Sequence, residues 1–214
     1  GKPGKPGRIR LLNSAGERIS SIEAFSEGNV HVTSSDVDRD GNSDIIAGSN
    51  LAAADPEVKA FKVDGALIWE SRPFGTDVQA ELDVASGQVT GDAAPEVIVG
   101  ARTTLAILNN SGTVVSTFKP FGASYTGGLN VATGDVTSEG IAEIIAGTRG
   151  NQTATVRIFD STGKQLGTDL SPFTGYTGGV DVSTVQWDKT ADARELIISQ
   201  ASSSDNRIQV VRFD

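Results

Sequence analysis

Cysteine and methionine are absent from the 214 residues, histidine occurs once, and tryptophan and tyrosine occur twice each. Without cysteine there can be no disulfide and no thiol redox chemistry. No apolar stretch approaches the roughly 18 residues that a membrane-spanning helix needs. Basic residues are scarce, 18 against 27 acidic ones for a net charge of -9, and two of them, Lys2 and Lys5, lie in a short N-terminal segment. Such a balance disfavours nucleic acid or an anionic membrane surface as a partner, since counterion release needs a basic patch. It suits a divalent cation.

Catalytic signatures are missing as well. There is no Gly-rich phosphate loop between a strand and a helix, no nucleophile motif, and no stretch of helical periodicity. The single histidine, His31, sits inside an apolar-flanked strand pattern and reads as structural. Counting acids does not exclude a paired-carboxylate hydrolase. Most of the acids, however, fall in the loops described next, and the chain is expected not to be an enzyme. The absence of both methionine and a signal peptide points to a processed chain or an excerpt.

What is present begins with Asp36-Val37-Asp38-Arg39-Asp40-Gly41-Asn42-Ser43-Asp44. Carboxylates stand at loop positions 1, 3, 5 and 9, with glycine at 6. A hard cation such as calcium takes six to eight oxygens, and the glycine permits the turn that returns residue 9 to the cage. Asp36, Asp38, Asp40 and Asp44 are therefore candidate ligands for one Ca2+, with Asn42 adding its backbone carbonyl. An Asp/Asn/Gly-rich solvated turn would carry the same residue types. A helix-loop-helix calcium hand would have glutamate at position 12, where this chain has Ala47, and the flanks Val30-His31-Val32 and Ile45-Ile46-Ala47 are strand-like.

The surroundings of this loop recur. Asp44-Ile-Ile-Ala-Gly48 returns as Glu96-Val-Ile-Val-Gly100, Glu143-Ile-Ile-Ala-Gly147 and Glu195-Leu-Ile-Ile-Ser199, at offsets of 52, 47 and 52. Phe25, Phe74, Phe121 and Phe173 repeat alongside, as do the tight turns Asn13 to Gly16, Val63 to Gly65, Asn109 to Gly112 and Asp160 to Gly163. Repeats near 50 residues, each holding several short Val/Ile/Phe runs bounded by Gly, Asn, Asp and Ser, predict the four-stranded blades of an all-β propeller. The first full unit is expected to place strands at about 29–33, 44–47, 57–62 and 66–69. Runs apolar at consecutive positions, such as Val97-Ile98-Val99, fit strands covered on both faces. Small residues at Ala47, Gly48, Gly100, Ala146 and Gly147 would let neighbouring backbones approach.

These residues resemble the FG-GAP and VCBS repeats of integrin-α-like β-propellers. Phe74-Gly75 and Phe121-Gly122 match the Phe-Gly element, Asp36 to Asp44 the calcium loop, and Ala47-Gly48, Gly100-Ala101 and Ala146-Gly147 the Gly-Ala-Pro position. The resemblance covers nearly everything after Gly7. It implies a propeller with calcium in the first loop, placed extracellularly or on a cell surface, and serving adhesion or recognition of a protein or glycan ligand. A structural or scaffolding segment of a large surface protein, or a non-catalytic accessory domain of a secreted carbohydrate-active enzyme, is the alternative. Fold does not decide between them.

The other loops depart from the pattern. The second carries Gln88, Thr90, Asp92 and Glu96 with Ala93 for the glycine; the third carries Asp135, Thr137, Glu139, Gly140 and Glu143. The fourth has Asp188, Lys189 and Asp192 out of register, and is expected to be metal-free. Residues 1–7 read as a Gly/Lys/Pro linker and 8–214 as the propeller domain, too few Gly-X-Y triplets being present for a collagen helix.

Three expectations concern placement. First, about four blade repeats of 47–52 residues are expected; the third-strand pattern occurs five times, beginning with Arg8 to Leu12. Either the N-terminal strands, 8–12 and 18–22, complete the fourth blade and close a compact four-repeat ring, or the chain is an excerpt of a larger propeller or an open arc. Second, His31, Asp83, Asn130 and Asp181 hold matching positions in the innermost strands and would either ring the axis around water or an ion, or be satisfied by neighbouring strands and ordered water. Third, Tyr125 and Tyr176, in matching Tyr-Thr-Gly-Gly segments, would stack on sugars if exposed or join the core if buried.

Overall fold

The computed structural model describes residues 4–50, 55–76, 79–187, 194–202 and 207–213. Seventeen strands and no helix are found among them. β1 (Gly7–Leu12) and β2 (Arg18–Phe25) form a two-stranded sheet. The first blade is β3 (Asn29–Ser35), β4 (Asp44–Asn50), β5 (Val58–Phe61) and β6 (Leu67–Ser71). The second is β7 (Leu82–Gly87), β8 (Glu96–Ala101), β9 (Thr104–Leu108) and β10 (Val114–Phe118). The third is β11 (Leu129–Gly134), β12 (Glu143–Thr148), β13 (Val156–Phe159) and β14 (Gln165–Leu170). β15 (Val180–Val185), β16 (Glu195–Gln200) and β17 (Ile208–Val211) make the fourth. Each blade is an antiparallel meander in chain order, and the four are arranged as a β-propeller, as the repeat predicts.

The registers explain why the repeat is so regular. His31 faces Gly48, Asp83 faces Gly100, Asn130 faces Gly147 and Asp181 faces Ser199. A Cβ at Gly48 would lie 2.7 Å from Val84 Cγ1, and one at Gly100 2.9 Å from Val131 Cγ1. The missing side chain is what lets the second strand of one blade press on the first strand of the next. The cores accordingly lie between blades. Ile46, Val58 and Ala60 of the first blade pack with Leu82, Val97 and Val99 of the second, and the same layer recurs between the second and third blades and between the third and fourth. β8 and β12 are buried at every position, the reason their sequences do not alternate.

Hydroxyls stitch the inner strands together along the axis. Ser86 Oγ donates to the Ser34 carbonyl at 3.1 Å, Thr133 Oγ1 to Ser86 at 2.7 Å and Thr184 Oγ1 to Thr133 at 2.9 Å. Inner strands pack β3 on β7, β7 on β11 and β11 on β15, and no comparable packing returns from β15 to β3 among the described residues.

One expectation needs correction. The N-terminal strands do not complete the fourth blade: β1 and β2 pair only with each other and bury Ile9, Ile22, Ala24 and Phe25 against Ile45, Ala47 and Phe61 of the first blade. The third place in the fourth blade is filled by β17, the fifth copy of the third-strand pattern, so the first copy, β1, is the one that stands outside the four blades. Gly7 opens β1, and the Lys5 carbonyl accepts from Gly28 N at 2.8 Å.

Candidate metal centre

Four loops join the first and second strands of the blades, on one face of the propeller. The backbones of the first three follow the same course, with a left-handed residue at position 4: φ is 62° at Arg39, 78° at Gly91 and 65° at Ser138. In the first loop Asp36 accepts from Asp40 N at 3.0 Å and Gly41 N at 2.9 Å, and in the third Asp135 accepts from Glu139 N at 3.1 Å and Gly140 N at 2.8 Å. Position 1 thus closes the turn through its carboxylate.

The carboxylate at position 9 plays one role in all four blades. One of its oxygens caps the start of the loop: Asp44 Oδ2 accepts from Val37 N at 3.0 Å, Glu96 Oε2 from Val89 N at 2.9 Å, Glu143 Oε2 from Val136 N at 2.7 Å and Glu195 Oε2 from Trp187 N at 3.0 Å. All four residues are buried.

The other oxygen separates the first loop from the rest. Glu96 Oε1 accepts from the Thr90 hydroxyl at 2.9 Å, Glu143 Oε1 from the Thr137 hydroxyl at 2.9 Å, and Glu195 Oε1 from Arg212 Nη2 at 2.7 Å. In the first loop the residue matching Thr90 and Thr137 is Asp38, which has no proton to give. Asp44, 1% exposed, is left with Oδ1 as the one fully buried side-chain polar atom without a hydrogen-bond partner among the described residues. A lone buried carboxylate oxygen costs on the order of 1–3 kcal/mol unless something positive meets it.

Asp36, Asp38 and Asp40 bring one carboxylate oxygen each within 4.8 Å of one another. Lys62 reaches into the same loop: its ammonium is paired with Asp38 and Asp40 and lies 3.8 Å from Asp44 Oδ1. Asn42 donates to Asp40 Oδ1 from its backbone N at 2.8 Å and from Nδ2 at 3.0 Å. The acid constants respond to these contacts. Bonding to Lys62 holds Asp40 below its ordinary value, the bonds to Asp38 and Asp40 raise Lys62, and burial pushes Asp44 up. The donor set is all oxygen and hard, and its orphaned buried oxygen fits a calcium-type cation.

The second and third loops have replaced the position that would face a cation with a threonine hydroxyl, and burial pushes Glu143 up as well. Asp188, Lys189 and Asp192 of the fourth lie outside the described residues. Arg212 was not singled out from the sequence. The signal was available: it follows the fifth third-strand copy at the place where Lys62 follows the second.

Near the axis these polar residues are bonded in neighbouring pairs and to adjacent strands. His31 Nδ1 lies 3.0 Å from Asp83 Oδ1, Asp83 Oδ2 accepts from Val131 N at 2.8 Å, and Asn130 Nδ2 donates to Asp181 Oδ1 at 2.9 Å. Arg149, which the sequence did not flag, donates from Nε to Asn130 Oδ1 at 2.8 Å and pairs with Glu81 at 3.2 Å. The two tyrosines are joints rather than a sugar platform. Tyr125 is 4% exposed, and its hydroxyl donates to the Gly128 carbonyl at 2.5 Å and accepts from Arg149 N at 2.9 Å. Tyr176 makes the matching pair of bonds with Ser202, at 2.6 and 3.0 Å. Trp69 is half-buried, whereas Trp187, on the acidic-loop face, is 69% exposed.

No family model matches the chain, and no curated protein matches it in sequence. Solved structures match it in shape. A protein of unknown function from Bacteroides caccae aligns with 98% of this chain and 70% of its own length at 14% identity and a TM-score of 0.58. The exotype rhamnogalacturonan lyase YesX aligns with 88% of this chain and 41% of its own at 15% identity and a TM-score of 0.51. The V. cholerae biofilm matrix protein Bap1 aligns with 86% of this chain and 37% of its own at 18% identity and a TM-score of 0.44. At such identities, the two likenesses above a TM-score of 0.5 show a shared β-propeller architecture and nothing about chemistry.

Proposed function

We propose that this chain is a calcium-stabilised β-propeller recognition module of the FG-GAP/VCBS kind, working outside the cell or at its surface and without catalysis of its own. The observation that carries the reading is the orphaned Asp44 Oδ1, buried behind the Asp36, Asp38 and Asp40 cluster, the one position-9 oxygen of the four that has no hydrogen-bond partner among the described residues. Asp36, Asp38, Asp40 and Asp44 would hold the ion, with the Asn42 carbonyl beside them. The ion would remove the mutual repulsion of four carboxylates and tie β3 to β4.

Recognition of a protein or glycan would then fall to the loop face. A groove of about 470 Å3 opens there between the first and second loops, lined by Asp36, Arg39, Gln88 and Pro95. Its two loops also differ from their counterparts in lacking a backbone tie. Between later blades the loops are tied by Ala142 N to the Gln88 carbonyl at 2.9 Å and Arg194 N to the Asp135 carbonyl at 2.7 Å, but at the equivalent place Pro95 has no N–H. The scaffolding or accessory-domain reading is favoured by one observation, the use of both tyrosines, at the ends of the inner strands away from the acidic loops, as internal joints; on the loop face Trp187 is an exposed aromatic.

Thermal melts in excess calcium, in chelator and in magnesium test the ion. At 100 times its dissociation constant calcium adds about 2.7 kcal/mol, a rise in Tm of roughly 5 to 10 °C for a domain of this size, with magnesium doing less. Asp44→Asn should abolish the difference. Identical melts of the unaltered chain in calcium and chelator would refute the reading, and a glycan and surface-protein binding screen with and without calcium separates recognition from scaffolding.

A further inference from the structure

The turn that leaves the third strand is built alike throughout the chain, with one exception. Gly16 N bonds the Asn13 carbonyl at 2.9 Å, Gly65 N that of Lys62 at 2.9 Å, Gly112 N that of Asn109 at 2.9 Å and Gly163 N that of Asp160 at 3.0 Å, so these four first residues are equivalent. In three of the turns the first side chain caps its own loop. Asn13 Oδ1 accepts from Ala15 N and Glu17 N, both at 2.9 Å; Asn109 Oδ1 from Ser111 N at 3.1 Å and Thr113 N at 3.0 Å; Asp160 Oδ1 from Thr162 N at 2.9 Å and Lys164 N at 3.0 Å. Lys62 has no acceptor to offer and gives up that cap. Its ammonium goes instead to Asp38 and Asp40.

The strand registers show why this position can do so. Ile45 faces Phe61, Val97 faces Leu108, Ile144 faces Phe159 and Leu196 faces Val211, which sets Lys62, Asn109, Asp160 and Arg212 beside Asp44, Glu96, Glu143 and Glu195 respectively. In the two blades whose position-9 carboxylate is satisfied by threonine, this neighbour is a turn cap. In the other two it is a cation. Arg212 bonds Glu195 Oε1 directly at 2.7 Å, whereas Lys62 stays 3.8 Å from Asp44 Oδ1, held by the two carboxylates in front of it.

We propose that Lys62 is the built-in counter-ion of the first acidic loop and sets its calcium affinity by competition: its ammonium holds Asp38 and Asp40 until the ion displaces it. The proposal rests on reading that loop as a calcium site. Three net negative charges remain when one ammonium sits among four carboxylates, so a divalent ion is still drawn in, against the loss of the two lysine pairs. Lys62 therefore weakens calcium binding while keeping the ion-free loop folded. In the fourth blade Arg212 makes the equivalent ion pair directly with Glu195.

Calorimetric calcium titration of the unaltered chain, Lys62→Asn and Lys62→Arg tests this. Asparagine is the residue this fold already uses at the equivalent Asn13 and Asn109, so the variant keeps a turn of known form. Lys62→Asn should bind calcium roughly tenfold more tightly, the scale of a lost pair of partly exposed ion pairs, and Lys62→Arg, still cationic, should not. Equal affinity in all three would overturn the role of Lys62 and leave the calcium site standing. Equal tightening by Asn and Arg would likewise overturn it, since charge would not be the cause. If none of the three binds calcium, the loop reading falls and the proposal with it.

Discussion

The indole of Trp69 covers Gly112, from β6 of the first blade onto a turn of the second, and donates from Nε1 to the Asn110 carbonyl at 3.0 Å. A Cβ on Gly112 would lie 2.7 Å from Trp69 Cε3. Gly122 has nearly the same φ, 82° against 80°, but open space around it. Alanine at either glycine meets the left-handed penalty of about 1–2 kcal/mol. Only Gly112→Ala must also move the indole, and it should cost about 1–3 kcal/mol more than Gly122→Ala, as read from urea unfolding of the two variants side by side.

Tyr125 and Tyr176 occupy the same place in successive repeats but differ in burial, which predicts different costs for removing one oxygen. Tyr125→Phe should lose about 1–2 kcal/mol, because its hydroxyl bridges Gly128 and Arg149 inside the core. Tyr176→Phe, whose bonds to Ser202 are reachable by water, should lose less than about 1 kcal/mol. Equal losses in chemical denaturation would mean that burial does not set the value of these bonds.

Asp38→Thr should convert the first loop into the form of the second and third. A threonine hydroxyl at 38 would meet Asp44 Oδ1 as Thr90 meets Glu96 and Thr137 meets Glu143. The expected protein is folded, at least as stable in chelator as the unaltered chain, and indifferent to calcium. A variant that still gains Tm on calcium addition would show that position 38 is not a ligand.

Glu143 has a pH signature of its own. Burial raises its pKa above the ordinary 4.5, so the folded state holds this proton more firmly than the unfolded chain does. Its contribution is then fullest below the unfolded value and is lost as pH rises through the folded one. Stability of the unaltered chain relative to Glu143→Gln, whose side chain does not titrate, should fall as pH rises from below 4.5 towards neutrality. Denaturant midpoints at several pH values check this, and a difference that grows in the opposite direction would contradict the assignment.

The chain's local chemistry determined most of the blade architecture. Offsets of 52, 47 and 52 between Asp44, Glu96, Glu143 and Glu195, together with short apolar runs, were enough to place the blade strands within a few residues, because strand periodicity and turn composition are local properties. The four-acid spacing around Gly41 was equally legible, being the geometry of one tight loop. What only the tertiary structure decided is how equivalent residues are satisfied across space. That β1 and β2 sit on the first blade instead of finishing the fourth depends on which apolar faces meet, and both arrangements share the same local pattern. Likewise Asp44 Oδ1 is orphaned while the outer oxygens of Glu96, Glu143 and Glu195 are not, because hydrogen bonding there is settled by a neighbour at loop position 3 or by a residue entering from the third strand. Lys62 and Arg212 stand 18 and 17 residues from the carboxylates they approach, and only pairing of the second and third strands brings them there.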